Sequence, residues 1–220
     1  ALIIVLSLMN GFAKELRVRL VGMDGHIWIS QPMAPDNGLE DYAAVMEKVV
    51  VLPDVLGVSP FCSYKTVGLD RDRRHIVALN VRGVDTGTVD SVSDIRQFIT
   101  DGEIDFSRDK ENIPGIVIGR YVAGGLQTYD IGDRVFLIGK SESEDYESYI
   151  SNMSPMPVWP FRVTGIFDSG YYEYDSSVAL IDIAEAQRII GLSGKATGLV
   201  VKLKDAFAAR EYTKDGGYIE

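Results

Sequence analysis

Two runs rich in apolar and β-branched residues, 58–67 and 75–84, stand on either side of the charged turn Asp70-Arg71-Asp72-Arg73. Each run has the texture of a strand, and the connection is short enough to fold the second back on the first, so the spacing predicts a β-hairpin. Upstream, Ile27 and Ile29 flank Trp28 in a short strand ended by Pro32 and Pro35, and a helix follows. Asn37 and Glu40 have the spacing of a capping box, and Leu39, Tyr42, Ala43, Met46, Val49 and Val50 line one helix face until Pro53. Strand, helix, then hairpin is the order of a two-layer α+β unit whose helix covers a mostly antiparallel sheet.

The rest of the chain is richer in strands. Residues 85–114 are polar and turn-rich, with a short helix expected over 92–100, closed by Gly102. Gly115-Ile116-Val117-Ile118-Gly119 reads as a strand leading into a helix over 121–126. Further strands are expected at 134–138 and 161–167, which leaves 139–160 as the loop joining them. A strand at 178–181 precedes a helix over 183–190, with Asp182 and Glu185 as a second capping-box pair and Gly191 as its stop; a strand at 197–203 closes the pattern.

With 220 residues and 46% apolar content, the chain can bury one sizeable core or two smaller ones. Its 22 basic and 32 acidic residues give a formal charge of −10, which argues against a nucleic-acid or anionic-lipid footprint, since either needs a concentrated basic face. Protein partners suit such a surface. Cys62 is the single cysteine, so no internal disulfide forms, and it reads as a small apolar residue buried in a strand. Residues 1–9 are apolar apart from Ser7, too short a run to span a bilayer, which takes about 20 residues. However, Leu2, Val5, Met9, Phe12, Leu16 and Leu20 keep helical spacing into Lys14, Glu15, Arg17 and Arg19. This predicts the last turns of a membrane helix emerging into water; the alternative is an amphipathic terminal helix packed on its own domain.

Motifs for chemistry fail on their spacing. Gly139-Lys140-Ser141 imitates the end of a phosphate loop, but the earlier glycine it requires falls at Arg134. His26 and His75 lie in separate strand-like contexts, away from metal-ligand spacing to each other or to Cys62. Ser169, in Asp168-Ser169-Gly170, lacks the hydrolase elbow, so a secreted hydrolase using Ser169, Asp168 and a histidine is a remote alternative. The acidic run 142–147 has no glycine-spaced calcium pattern and reads as solvated loop, while Asn152-Met153-Ser154 matches a glycosylation acceptor. No catalytic, metal or cofactor site is expected. What stands out is the loop before residue 161, where Met153, Met156, Val158 and Trp159 are interleaved with Pro155, Pro157 and Pro160. Methionine adapts to irregular partners, tryptophan anchors interfaces, and proline lowers the entropy lost on immobilisation. The residues leave two readings open, a partner-docking surface or a satellite cluster folded onto its own β unit.

Several segments together resemble one family. They are Gly83-Val84-Asp85, Gly115-Ile116-Val117-Ile118-Gly119-Arg120, Gly132-Asp133-Arg134-Val135, Phe161-Arg162-Val163-Thr164-Gly165-Ile166-Phe167 with Tyr174-Asp175, and Ala186-Gln187 before Gly191. In this order they look like the periplasmic domain of the LolC/LolE family, permeases of the ABC transporter that releases lipoproteins from the bacterial inner membrane; Met9-Asn10-Gly11-Phe12 is similar to the end of its first membrane helix. The resemblance implies an α+β fold, a MacB-like periplasmic core. An α+β porter-like subdomain would comprise 13–84 and 176–220, a β-rich subdomain 85–175, and the end of the first transmembrane helix 1–12. It implies a non-catalytic domain facing the periplasm, with ATP bound by a separate cytoplasmic ATPase subunit. The other implied partners are a second permease copy or paralogue, a soluble periplasmic lipoprotein carrier, the lipoprotein cargo, and the membrane through flanking helices. One family branch recruits the carrier through a hook with a proline–methionine element. Pro155-Met156 falls in the matching loop, 141–160, so Met153, Pro155, Met156, Val158 and Trp159 are the expected docking residues; Pro157-Val158-Trp159-Pro160 stands where a glycine–arginine turn is expected. A MacB-type or FtsX-like permease domain that conveys motion to another partner is the alternative within transport.

Overall fold

The computed structural model describes residues 9, 24–30, 38–139, 157–192 and 194–206. In chain order the elements are β1 (Ile27–Ser30), α1 (Tyr42–Val50), β2 (Val55–Leu69), β3 (Ile76–Val84), α2 (Val89–Val92), a 3-10 turn (Ile95–Phe98), β4 (Ile99–Gly102) and β5 (Gly115–Gly119). There follow α3 (Arg120–Leu126), β6 (Arg134–Ile138), β7 (Val158–Phe167), α4 (Tyr172–Asp175), β8 (Val178–Asp182), α5 (Ile183–Ile190) and β9 (Gly198–Leu203).

The expected hairpin is the spine of the molecule. β2 is 15 residues long, and its second half pairs with β3 from Phe61↔Val84 to Leu69↔Ile76. Its first half pairs with β9, which in turn pairs with β1. On the other side the pairings close a ring: β2 to β3, β3 to β8, β8 to β5, β5 to β7, β7 to β6, and β6 back to β2 through Gly68↔Leu137 and Leu69↔Phe136. The β3–β8 and β5–β7 pairs are parallel and the other four antiparallel. Leu79, Val81, Ile116, Ile118, Val135, Phe161 and Val163 from the strands, with Leu126 of α3 and Ala186 and Ile189 of α5, form the largest buried cluster. The sheet and this largest cluster contain residues from both sides of 84/85 and of 175/176.

Cys62 is fully buried in this cluster, and burial pushes its thiol above the ordinary range. A separate core lies under α1, where Val49 meets Val58, Leu199, Val201 and Leu203. The helix begins later than expected: Leu39 instead forms a bridge with Ala196, and Asp41 is the cap, its Oδ1 accepting from the Ala44 N–H at 3.4 Å. Asn37 lies outside the described residues.

The helix expected over 92–100 is broken into three pieces. α2 stops at Ser93, which is extended, and Ser93 Oγ accepts from the Ile95 N–H at 3.2 Å. After the 3-10 turn, β4 pairs with the outer edge of β7, Ile99↔Phe167 to Gly102↔Gly165. Local helical spacing loses here because Val89 and Ile95 bury into a second cluster with Val117, Phe167 and Leu180, while residues 99–102 satisfy an edge that would otherwise stay open.

The turn of the hairpin is fixed by one carboxylate. Asp70 accepts from the backbone N–H groups of Arg74 at 2.7 Å and His75 at 2.9 Å, and lies 3.1 Å from His75 Nδ1. The His75 N–H foremost, with the His75 ring and the Arg74 N–H, holds the Asp70 carboxyl at about 2. Because the folded value lies below the unfolded one, about 3.9, this stabilisation is complete above pH ~4 and lost as the pH falls toward 2. A carbon-detected NMR titration of the Asp70 carboxyl is expected to show a midpoint near 2. An ordinary aspartate midpoint would mean that the turn does not hold the carboxylate.

Candidate functional site

The segment singled out in the sequence connects β6 to β7. These strands pair from Arg134↔Arg162 to Ile138↔Val158, and the Gly139 N–H donates to the Pro157 carbonyl at 3.1 Å, closing the ladder. The Thr66 hydroxyl donates to the Ile138 carbonyl and ties the same point to β2. Met153, Pro155 and Met156 lie outside the described residues. Val158 and Trp159 are the first two residues of β7, opposite Ile138 and Leu137. The strand therefore starts three residues before the expected Phe161, and the loop is correspondingly shorter. The sequence reason is visible afterwards: a residue before proline is pushed into the extended region, and Trp159 precedes Pro160. Pro160 is tolerated because β5 pairs with β7 from Arg162 onward, leaving one side of β7 unpaired at 160.

Trp159 is half-buried and packs against α5. The Arg188 guanidinium of α5 lies 4.4 Å from its ring centroid, a cation–π contact worth about 0.5–2 kcal/mol. Arg188 Nη2 also donates to Glu185 Oε2 at 2.6 Å, and Arg108 Nη2 donates to Glu185 Oε1. Glu185 is 9% exposed and is paired with both guanidiniums. A Cβ at Gly139 would stand 2.4 Å from Ile189 Cγ2 and 3.1 Å from the Trp159 ring, so the backbone passes α5 too closely for any side chain. Trp159 Nε1 is buried without a hydrogen-bond partner among the described residues. Arg108, Glu185 and Arg188 were not expected in this site. Asp182 caps α5 as predicted, accepting from the Ala184 N–H at 2.8 Å, but Glu185 turns to the two arginines instead of completing the box. The i,i+3 spacing of Glu185 and Arg188 was the available signal.

A second, half-buried pair holds residue 24. Arg82 Nη1 of β3 donates to Asp24 Oδ1, and the guanidinium lies 4.6 Å from the Trp28 ring centroid. Trp28 in turn meets Phe61 edge-on at 4.7 Å. Burial pushes the Asp24 carboxyl up, against the pull of Arg82. Residue 24 is thereby fixed to the hairpin spine.

The hydrolase constellation is not assembled. Ser169 is 1% exposed, and its hydroxyl donates to Asp175 Oδ1 at 2.5 Å rather than to a histidine. Asp168 accepts from Arg120 Nη1 at 2.7 Å, His75 faces Asp70, and His26 Nδ1 accepts from the Leu203 N–H at 3.1 Å. Among the described residues, no three His, Cys, Asp or Glu side chains are grouped to hold a metal ion, and no helix is long and apolar enough to cross a membrane.

Residues 1–215 match the MacB-like periplasmic core domain family. Over 214 residues, 97% of this chain and 48% of the relative, the sequence is 30% identical to the lipoprotein-releasing system transmembrane protein LolC of Xylella fastidiosa (strain 9a5c). It is 29% identical over 213 residues to the lipoprotein-releasing system transmembrane protein LolE of Haemophilus influenzae, covering 95% of this chain and 48% of that protein. The chain spans about half the length of these relatives. The extracellular domain of the noncanonic ABC-type transporter YknZ from Gram-positive bacteria has the same fold, with a TM-score of 0.50 at 13% identity over 88% of this chain and 95% of that one.

Proposed function

The chain belongs to the MacB-like periplasmic core domain family, and on that premise we propose that it is the periplasmic domain of an inner-membrane permease that releases lipoproteins and passes them to a soluble carrier. The observation that carries this reading is the similarity to a lipoprotein-releasing LolC along 97% of the chain. In this function the domain is non-catalytic. ATP is bound and hydrolysed on a separate cytoplasmic subunit, and the permease works beside a second copy or a paralogue. Motion of the membrane segment reaches the domain at residue 24, where Asp24 is clamped by Arg82, and the hairpin spine and α5 carry it to the base of the β6–β7 loop. There Met153, Pro155 and Met156 meet the carrier, with Val158 and Trp159 holding the loop in its direction.

Isothermal titration of the purified carrier onto the whole chain and onto a Met153→Ala/Met156→Ala variant tests this. Trp159 is left intact, because its ring lies under Arg188 and truncating it would disturb the strand as well as the contact. The wild type is expected to bind, and the variant at least about tenfold more weakly, as for loss of an interface anchor. Equal affinities would remove the contact from the two methionines. A wild-type chain that ignores the carrier would end the carrier-recruiting role and leave a permease domain without a hook.

A further inference from the structure

The end of α1 and the turn into β2 expose a run of aliphatic side chains. Val50 is 54% exposed, Val51 76%, Leu52 37% and Leu56 55%. Their neighbours Val49 and Val55 point inward to the core under α1, so the exposed four are not needed to close it. The position of this tip in the fold says what covers it. Lys204, near the end of the described chain, donates its N–H to the Asp54 carbonyl at 2.9 Å and its Nζ to the Pro53 carbonyl at 2.7 Å. Leu203 pairs with Val55 on one side, and its N–H donates to His26 Nδ1 on the other. Residues 24–26, residues 203–206 and the apolar tip therefore lie side by side across three adjacent strands, spaced about 4.8 Å apart. The sequence leading into this edge opens with the apolar run 1–9.

We infer that the tip formed by Val50, Val51, Leu52 and Leu56 is seated in the membrane interface, so that the domain touches the bilayer by its own aliphatic surface as well as through its flanking segments. The contact is apolar rather than Coulombic, because a chain of formal charge −10 gains nothing from anionic headgroups. It rests on the reading of the chain as a membrane-tethered domain, and it adds a fixed height and orientation of the sheet above the bilayer. The far end of the hairpin, where Leu69 pairs with Ile76, stands up to about 46 Å along β2 from Val55.

The whole chain is placed on phosphatidylcholine vesicles by a hexahistidine preceding Ala1 on nickel-chelating lipid, with an environment-sensitive fluorophore on Val51→Cys or, as control, on Ile76→Cys. Ile76 is 64% exposed, and Cys62, fully buried, stays unlabelled. Doxyl-labelled lipid is expected to quench the fluorophore at 51 at least about twofold and leave that at 76 unchanged, as for a surface about 5–10 Å into the interface. A position-51 fluorophore that stays unquenched overturns the inference, whether it remains in water or shifts to the blue against a second copy of the chain. Flotation of the untagged chain with the same vesicles reports the tether separately. Its failure would count against the membrane segment and leave the result at position 51 readable in the tagged protein.

Discussion

Gly83→Val is expected to abolish cooperative folding, and Gly83→Ala to lower stability by about 2–3 kcal/mol through overpacking. A Cβ at this position would lie 2.3 Å from the Ala186 Cβ and 3.1 Å from the Ile183 Cα, both on α5. Neither partner can retreat freely. Gly83 is held between Cys62 of β2 and Ile181 of β8, and α5 is anchored by Ala186 and Ile189, both fully buried. Urea unfolding of Gly83→Ala, Ala186→Gly and the double variant separates the cause. Ala186→Gly alone costs about 1 kcal/mol of helix propensity. If the collision is what destabilises, the double variant loses less than the sum of the singles by about 1 kcal/mol or more; strict additivity would remove the contact as the explanation. The functional consequence is direct, because the face of α5 that lies on Gly83 belongs to the helix whose Arg188 holds Trp159 at the base of the loop.

The hairpin of β2 and β3 was legible because every determinant is local: two apolar runs, a charged turn, and an aspartate at the position that caps it. The ring was not legible, although its strands were. Its closure depends on pairings such as Asn80↔Val178 and Gly115↔Arg162, whose partners share no periodicity and meet through intervening segments of different kinds. The same distinction separates the residues of the candidate site. Val158 and Trp159 carried a local signal, the flanking prolines, that favours an extended strand as readily as a loop. Glu185 carried a signal for a helix cap that is weaker than two guanidiniums, Arg188 one turn along the same helix and Arg108 from elsewhere on the chain. Asp182, whose cap needs nothing beyond its own helix, was read correctly. A loop rich in methionine and proline is compatible with several surfaces, and only the family resemblance favours a docking role among them.

The other large effect lies in the crossover from β7 to β8, and Asp175→Ala is expected to cost about 3–4 kcal/mol. The Asp175 side chain belongs to a fully buried residue and accepts three bonds: from the Ser169 N–H at 3.0 Å, the Ser169 hydroxyl at 2.5 Å and the Gly170 N–H at 3.1 Å. Burial pushes this carboxyl above the ordinary carboxylate range, and those donors work against that push. Alanine would leave the buried Ser169 N–H and hydroxyl without their acceptor, whereas the exposed Gly170 N–H can turn to water, and an unsatisfied buried donor is more costly than the bond it made was worth. Ser169→Ala removes one donor to the carboxylate and the acceptor of the exposed Tyr171 N–H at 3.1 Å, which water can replace, and it keeps the carboxylate, so its cost is expected to be about 1–2 kcal/mol, below that of Asp175→Ala. Urea unfolding of the two variants decides between a structural turn and a reactive centre. A Ser169→Ala change as costly as Asp175→Ala would show that the hydroxyl, rather than the carboxylate, organises the turn. A hydrolytic activity lost in Ser169→Ala with stability unchanged would restore the nucleophile. The expected order, a large loss for the acceptor and a small one for a single donor, makes residues 168–175 the framework that fixes β8 and α5, and through Arg188 the base of the β6–β7 loop.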